Sequence, residues 1–488
     1  MPWTFTRDVP SSDAFIGDLE KEELAQVDLT NSALDAFRNP IKKKDIMIKG
    51  VGKNELMLGC VDDTWTTPSC ISYNGKSFGM LIVAQKGDGK TQLVKHIMCS
   101  QLLERFHYNL FIVDPKDDYS NLHEPLRSVD LVSRLSRFGI KPKGFQAKYY
   151  KPAFADMKER KGEEYILTLR DFKVLDYGKR AEALTEVFQV DEKSGPAFRA
   201  LQSAFSKGVP ETIDTLFKKL TDYKKDVLKE RVKLAKLAGA SMGTKVVSSA
   251  FEQIVKEKVE LGILGDEGQT IIREQEERDG KMVATKTVKV HSAHFTEELS
   301  TGPEPNIVVL QADLSAAKSF TYSCYIKMAI AQLWSDRYKY VTTDGREGIM
   351  RRPTFVITDE ADVLIPREKY RYSPSREQFN QLLSKGRQFG WGEACITQQP
   401  EMISQEFIRH VDYIVSTRVQ SEHLVKILKE KAGLQEHQIE ELRRLRYNKS
   451  SPIKEWFCTT GDPERPYVTF FPLPPQSEIK QEKIPTYY

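Results

Sequence analysis

A glycine-rich segment early in the chain has the residue types that bind phosphate. Residues 84–91 read Ala-Gln-Lys-Gly-Asp-Gly-Lys-Thr and stand between an apolar run and a segment with a helical pattern. In such a loop the backbone N–H groups surround the phosphates, a lysine reaches the terminal phosphates and a hydroxyl ligates Mg²⁺. The spacing gives these two roles to Lys90 and Thr91.

The predicted nucleotide-binding residues extend over the whole loop. We expect the backbone to come closest to phosphate at Gly87 and Gly89. Ala84 departs from the usual pattern, in which the first residue is glycine, and the alternative is a plain glycine turn between a strand and a helix. The full predicted set is Ala84, Gln85, Lys86, Gly87, Asp88, Gly89, Lys90, Thr91 and Gln92.

An acidic pair follows a later apolar run, in the segment Phe-Val-Ile-Thr-Asp-Glu at 355–360. An aspartate at the carboxyl end of a buried strand can hold Mg²⁺ through its water shell, and the next glutamate can polarise the attacking water. We therefore predict Asp359 as a metal residue and Glu360 as a catalytic residue for ATP hydrolysis. The alternative is an acidic helix N-terminus stabilised by the helix dipole.

Six apolar runs can supply the strands that position these residues. Helical patterns or long insertions separate them, which predicts an α/β fold with a buried parallel sheet. The runs are 78–84, 109–114, 306–311, 354–358, 393–397 and 412–418.

The remaining chain divides around this core. An apolar stripe at 213–237 predicts a helix, and Asp279-Gly280 between two strand-like segments predicts a β-hairpin. The last residues are proline-rich and can pack on a neighbouring subunit. The predicted domains are a small β-containing N-terminal arm at 1–77, an ATPase core at 78–125 and 300–430, an inserted, mainly helical subdomain with the hairpin at 126–299, and a C-terminal segment at 431–488.

Composition limits the possible partners and compartments. The 488-residue chain has a net charge of only +4, so a nucleic-acid surface must be a local patch. The six cysteines lack metal-ligand spacing, which favours reduced thiols and no structural metal site. No apolar run approaches the ~18 residues needed to cross a bilayer. We expect a cytoplasmic protein without membrane insertion.

Four segments resemble, in wording and order, motifs of the HerA/FtsK-type ring ATPases. Asp117 stands where that family has glycine, and Gln399 where it has arginine. The segments are Ile-Val-Asp-Pro-Lys-Asp-Asp-Tyr-Ser at 112–120, Ile-Thr-Asp-Glu-Ala-Asp at 357–362, Leu-Ser-Lys-Gly-Arg-Gln-Phe-Gly-Trp-Gly at 383–392 and Ile-Thr-Gln-Gln-Pro at 396–400.

The resemblance implies a RecA-like P-loop ATPase core that uses ATP and Mg²⁺. It implies that Gln398 is a polar sensor of the terminal phosphate or its water. It also implies that Arg387 is a catalytic finger that acts on the neighbouring subunit's nucleotide, with Arg418 as a second candidate. The alternatives are a turn residue for Gln398 and surface ion pairs for the two arginines.

The same resemblance implies a homo-oligomeric, hexameric ring that moves double-stranded DNA, with a nuclease or another docking protein as a possible partner. A packaging or conjugation motor would share every site residue, and a P-loop phosphotransferase or an ATP-gated scaffold is the alternative from another class. A basic helix pattern at 218–236 can track phosphates or be a solvated face. The candidate DNA contacts are Arg367, Lys369, Arg371 and Arg376. The alternative is that they belong to an ordinary arginine-rich loop.

Overall fold

The computed structural model describes most of residues 51–472. Residues 1–50 and 473–488 lie outside the described part, and with them most of the predicted N-terminal arm and the proline-rich end. The other stretches outside it are 62–66, 73–76, 127–128, 141–143, 154–161, 175–186, 188–202, 206–207, 211, 238–255, 257, 260–263, 269, 279–280, 290–291, 293, 313–319, 420 and 446–453.

Strands and helices alternate along the core. The strands are β1 (Glu55–Cys60), β2 (Pro68–Ser72), β3 (Gly79–Val83), β4 (Asn109–Asp114), β5 (Lys148–Pro152), β6 (Glu163–Tyr165), β7 (Leu167–Thr168), β8 (Leu264–Gly265), β9 (Thr270–Arg278), β10 (Lys281–Lys289), β11 (Ile307–Gln311), β12 (Thr354–Thr358), β13 (Trp391–Thr397), β14 (Tyr413–Ser416), β15 (Trp456–Thr459) and β16 (Tyr467–Phe470).

The first helix, α1, covers 90–104 and has a π-helical middle, Leu93–Met98, between Lys90–Gln92 and Cys99–Glu104. Short 3₁₀ turns occur at Leu169–Val174, Arg387–Phe389 and Pro400–Met402. The other helices are α2 (Val129–Ser136), α3 (Ile213–Leu237), α4 (Phe295–Ser300), α5 (Phe320–Thr342), α6 (Ala361–Leu364), α7 (Ser375–Lys385), α8 (Gln405–His410), α9 (Glu422–Ala432) and α10 (Glu436–Arg443).

One ten-stranded sheet organises the molecule, in the order β16-β15-β14-β3-β13-β12-β4-β11-β5-β6. Neighbouring strands are parallel from β14 to β6, whereas β15 and β16 are antiparallel additions beside β14. All six predicted runs form strands of this sheet. The expected α/β core with a buried parallel sheet is confirmed, and β13 lies between the glycine-loop strand β3 and the acidic strand β12.

The central strands are buried on both faces, as continuous apolar runs in a parallel sheet require. Along β3, Met80 and Ile82 belong to one apolar cluster, and Leu81 and Val83 belong to the other. Each fully buried aliphatic side chain of this kind contributes about 1.5–3 kcal/mol to folding. This double burial holds the strand ends, and the loops that follow them, in fixed positions.

Part of the predicted insertion belongs to the main sheet. β5 and β6 lie within 126–299 and extend the sheet beside β11, so the sheet passes the core boundary expected at 125. These strands are short and carry several lysines and glutamates, which explains why no apolar run marked them. The same range forms the long helix α3 and the antiparallel pair β9–β10.

The segments on either side of the core pack on it within one chain. β1 and β2 form a small antiparallel sheet, and Cys60 bridges to Phe471 next to β16. β15 and β16, from the predicted C-terminal segment, pair with this chain's own core sheet. No helix among the described residues is long and apolar enough to span a bilayer.

Candidate nucleotide site

The glycine-rich loop connects β3 to α1 at the carboxyl end of the sheet. The N–H of Ala84 donates to the carbonyl of Thr397 over 3.1 Å, which joins the start of the loop to β13. Gly87 and Gly89 have φ angles of 86° and 94°, a left-handed conformation that glycine adopts without steric cost. Residues 85–87 are exposed, whereas Gly89 and Lys90 are buried. The loop therefore has an open outer face above a fixed base.

Lys90 extends from this base to the acidic pair after β12. Its Nζ lies 2.8 Å from Asp359 Oδ1 and 3.6 Å from Glu360 Oε1. Burial alone would lower the pKa of Lys90, but the two carboxylates outweigh burial and raise this pKa above its ordinary value. Two segments that lie far apart in sequence thus form one buried ionic cluster.

Glu360 has an unusual backbone conformation. Its φ of 48° is left-handed, which is uncommon for a residue other than glycine, and its N–H donates to Asp359 Oδ1 over 2.8 Å. Conformations of this kind concentrate at functional sites, where the surrounding structure holds them in place. Here the conformation follows directly after β12 and sets the direction of the Glu360 side chain.

The Glu360 carboxylate is held by two donors from neighbouring strand ends. Gln398 Nε2 donates to Glu360 Oε1 over 2.9 Å, and Lys116 forms an ion pair with the same oxygen. Burial opposes ionisation of Glu360, but the hydrogen bonds from Lys116 and Gln398 and the charge of Lys90 lower its pKa. The carboxylate therefore stays ionised and oriented, as a group that polarises a water must be.

The residues around Asp359 fit a magnesium ion. Asp359 is fully buried, and its Oδ2 has no hydrogen-bond partner within the described part of the chain. Burial and the nearby Asp359 raise the pKa of Asp118, another carboxyl at this edge of the sheet. Carboxylate and hydroxyl oxygens are the ligands that Mg²⁺ prefers. Asp359, with the Thr91 hydroxyl at the start of α1, supplies a suitable donor set.

The turn after β4 explains how Lys116 reaches the cluster. Asp114 accepts hydrogen bonds from the backbone N–H groups of Asp118 and Tyr119, both over 3.0 Å. Asp117 has a φ of 65°, and its carboxylate accepts from Gln311 Nε2 over 2.7 Å. Aspartate tolerates this conformation better than most residues, so it can replace the glycine of the resembling family.

Arg387 lies at the opposite, amino end of the sheet. Its Nη2 is 2.7 Å from Asp412 Oδ2 and donates to the carbonyl of His410 over 3.0 Å. Asp412 also accepts from the N–H of Gly79, the first residue of β3. Arg387 therefore does not join the cluster around Lys90 of its own chain.

Arg418 lies at the same end of the sheet as its own glycine-rich loop. It follows β14, and the preceding Thr417 hydroxyl donates to Asp88 of that loop over 3.3 Å. Arg418 and Arg387 therefore lie at opposite ends of the sheet.

At least two of the four candidate DNA-contact side chains already contact groups of their own chain. Arg376 pairs with Glu368 over 3.2 Å, and Arg367 donates to the carbonyl of Glu401 over 3.4 Å. Burial lowers the pKa of Arg371, whereas Lys369 is exposed and lies over the ring of Tyr370 at 4.6 Å. The aromatic side chains Tyr370 and Tyr372 are 47% and 56% exposed, so the loop presents aromatic as well as basic groups.

Lys116 and Lys454 also contact the site, although the sequence predicted no role for either. Lys116 lies in a recognised segment directly after a strand, a position that signals a site residue. Lys454 contacts the glycine-rich loop at Gly87 and Asp88, but no local pattern in the sequence marks it.

Solved structures with similarity to this chain include nucleotide-binding proteins. The genome packaging NTPase B204 from Sulfolobus turreted icosahedral virus 2, in complex with AMPPCP, has a TM-score of 0.33 and 10% identity over 82% of this chain and 99% of that chain. The bacterial conjugative coupling protein TrwBdeltaN70 has a TM-score of 0.43 and 12% identity over 83% and 86%. Plasmid coupling protein TrwB with ADP and Mg²⁺ has a TM-score of 0.41 and 12% identity over 81% and 85%.

No protein-family model matches the chain, and no curated protein matches it either. At TM-scores below 0.5, the structural similarities do not decide what this chain does. The geometry of its own site has to supply that conclusion.

Proposed function

We propose that this chain is an ATP-hydrolysing motor that moves double-stranded DNA, working as a homo-oligomeric, hexameric ring of HerA/FtsK type. The observation that supports it best is the buried cluster in which Lys90, Asp359 and Glu360 meet at the carboxyl end of a parallel sheet. This is the edge at which parallel α/β sheets bind ligands. A glycine-rich loop, a metal-binding carboxylate and an oriented base are the parts that nucleoside triphosphate hydrolysis requires.

Each residue has a definite task in this proposal. Lys90 exchanges Asp359 for the terminal phosphates of ATP when the nucleotide enters. Thr91 and Asp359 would hold Mg²⁺, which neutralises charge that develops on the phosphates. Glu360 polarises the attacking water, and Gln398 keeps both the carboxylate and the water in position.

The arrangement of Glu360 favours hydrolysis over the phosphotransferase or scaffold alternative. Many P-loop kinases lack a glutamate directly after the metal-binding aspartate. Here Glu360 is ionised and held by Gln398 and Lys116, beside the lysine of the loop. A scaffold that only binds ATP has no need for a base fixed in this way.

The position of Arg387 supports the proposed ring. A finger supplied by a neighbour stabilises the charge of the transition state and couples hydrolysis to movement between subunits. Arg387 cannot reach its own nucleotide site from the amino end of the sheet. Its exposed side chain, at 42%, is available to an adjacent subunit.

Duplex DNA is the proposed cargo, and the loop from Arg367 to Arg376 is its proposed contact. Exposed Lys369, Tyr370 and Tyr372 offer a cation and two aromatic rings on one loop after the catalytic pair. Cations attract the phosphate backbone without regard to sequence, as a translocating motor requires. A packaging or conjugation motor is the same proposal with a different docking partner, and a nuclease is one such partner.

The test is the rate of ATP hydrolysis with and without duplex DNA, together with particle mass by light scattering. We expect a ring whose turnover rises with DNA, and a turnover about a thousandfold lower in a Glu360→Gln control. A monomer that is indifferent to DNA would overturn the motor proposal while leaving the ATPase site intact. A protein that binds no ATP would overturn both.

The DNA loop has its own test, in which Arg367 and Arg371 are both changed to Glu. We expect DNA stimulation to disappear while basal hydrolysis remains, because the change reverses charge outside the nucleotide cluster. The matched control changes Lys426 and Lys429 of α9 to Glu, which alters net charge equally and should keep the stimulation. Unchanged stimulation in the loop variant would remove the loop from the DNA path.

A further inference from the structure

The glycine-rich loop contains an acid where it is predicted to bind an anion. Asp88 stands between Gly87 and Gly89, and its side chain is fully buried. A carboxylate inside a phosphate-binding loop repels the phosphates unless a cation neutralises it. Burial strengthens this repulsion, because a buried charge is poorly screened by water.

A lysine from the far end of the chain meets this acid. Lys454 Nζ lies 2.8 Å from Asp88 Oδ1 and donates to the carbonyl of Gly87 over 3.0 Å. Both side chains are 5% exposed or less. Lys454 lies just before β15, and β15 reaches the loop strand β3 through β14. The pairing of β15 with β14 thus places the Lys454 ammonium against the loop.

The other oxygen of Asp88 shapes the loop. The N–H of Gln85 donates to Asp88 Oδ2 over 2.9 Å, and the Thr417 hydroxyl donates to the same oxygen over 3.3 Å. The N–H of Asp88 donates in turn to the carbonyl of Gln85 over 3.2 Å. Asp88 therefore closes the outer turn of the loop, while Lys454 neutralises the charge that this closure requires.

We propose that Lys454 is a positioning residue of the nucleotide site, whose ammonium cancels the charge of Asp88 so that the loop can accept the phosphates of ATP. The inference rests on the proposed nucleotide binding. It gives the C-terminal segment a role in the nucleotide site of its own chain. β15 and β16 must be folded against the sheet before Lys454 can neutralise Asp88 and the loop can bind phosphate.

Charge neutralisation and simple anchoring predict different results for the two partners. If Lys454 neutralises Asp88, loss of the lysine weakens ATP binding, whereas loss of the carboxylate charge does not. If the pair only anchors the loop, loss of either partner weakens binding. Removing both charges restores binding under neutralisation and fails to restore it under anchoring.

The experiment titrates a non-hydrolysable ATP analogue with Mg²⁺ into the parent protein, Lys454→Met, Asp88→Asn and the double variant, by calorimetry. We expect Lys454→Met to weaken affinity by about tenfold or more, since it removes the ammonium that pairs with a buried carboxylate beside the anion. Asp88→Asn, which keeps an acceptor for Gln85, should bind at least as tightly as the parent. The double variant should return to within about threefold of the parent.

In steady-state hydrolysis the effect of Lys454→Met should fall on KM and leave kcat nearly unchanged. Lys426→Met, at an exposed lysine on α9, is the matched control and should bind normally. Parent-like affinity of Lys454→Met would overturn the inference, and so would an Asp88→Asn protein that binds more weakly than the parent. The second result needs only a conservative variant, so it holds even where Lys454→Met does not fold. A parent protein without nucleotide affinity would instead overturn the proposed function.

Discussion

The two ends of the parallel sheet hold their charges in opposite ways. At the carboxyl end, the side chains of Lys90, Asp359 and Glu360 are at most 10% exposed and contact one another. At the amino end, Arg387 pairs with Asp412 and keeps 42% of its side-chain surface in solvent. The first group is a buried cluster of ion pairs, whereas the second is a single exposed ion pair.

The difference shows how each end can serve a reaction. Buried charges are costly to separate, so the carboxyl-end cluster keeps its geometry until a ligand of comparable charge replaces one partner. An exposed ion pair contributes little and exchanges readily. In the proposed ring, Arg387 leaves Asp412 for a phosphate of a neighbouring subunit, while the cluster keeps its geometry in its own chain.

The largest expected effect is at the carboxyl end, with Glu360→Gln. We expect kcat to fall about a thousandfold, because the variant loses the base that polarises water but keeps the size of the side chain. ATP binding should persist, since Lys90 and the loop are unchanged. The measurement is steady-state hydrolysis beside a binding titration, with exposed Glu430→Gln as the control. Hydrolysis near the parent rate would mean that another group is the base.

Lys116→Met should have a smaller effect that depends on pH. Lys116 is one of the groups that lower the pKa of Glu360, so its removal raises this pKa. The base acts only when ionised, so activity appears above the pKa, and the acidic limb of the kcat profile should move to higher pH. We expect the rate to fall at the acidic end of the profile, while the rate above the pKa of Glu360 stays close to that of the parent.

The matched control for this change is Lys385→Met, at an exposed lysine near the end of α7. Its pH profile should follow the parent. A Lys116→Met profile with an unmoved acidic limb and a uniformly lower rate would show that Lys116 acts on something other than the ionisation of Glu360.

How far the site follows from the sequence depends on which contacts are fixed by strand ends. Lys90, Asp359 and Gln398 each follow a buried apolar run, and parallel strands bring their carboxyl ends to one edge, so this grouping was predictable. β5 and β6 were not predicted, because short strands rich in lysine and glutamate lack the apolar pattern of a buried strand. These two strands form because β5 hydrogen-bonds to the edge of the sheet at β11 and β6 to β5, and not because of their own apolar residues.

Contacts between side chains from distant segments were beyond prediction. Lys454 and Asp88 are separated by 366 positions, and only the place of β15 beside β14 brings them together. The ion pair of Lys116 with Glu360 depends on the turn that Asp114 and Asp117 shape. The placement of Arg387 at the amino end was implied by its position before a strand, but its carboxylate partner was not.

The smallest expected effect is at the amino end, with Asp412→Asn. We expect the free energy of unfolding to fall by less than about 1 kcal/mol, because the Arg387 pair is exposed and asparagine still accepts from the N–H of Gly79. Chemical denaturation of the variant and the parent measures it. A loss of several kcal/mol would show that the pair is a structural anchor. Separating Arg387 from Asp412 would then cost too much free energy for the proposed movement.

The most direct test of the shared site mixes two inactive proteins, Lys90→Ala and Arg387→Ala. Each should hydrolyse ATP poorly alone, the first without phosphate binding and the second without its finger. In mixed rings an Arg387→Ala subunit can receive the intact arginine of a Lys90→Ala neighbour, so random mixing should restore activity at about a quarter of the interfaces. Recovery of hydrolysis on mixing is the predicted result. No recovery in rings shown to contain both subunits would contradict a site completed by Arg387 of the next chain.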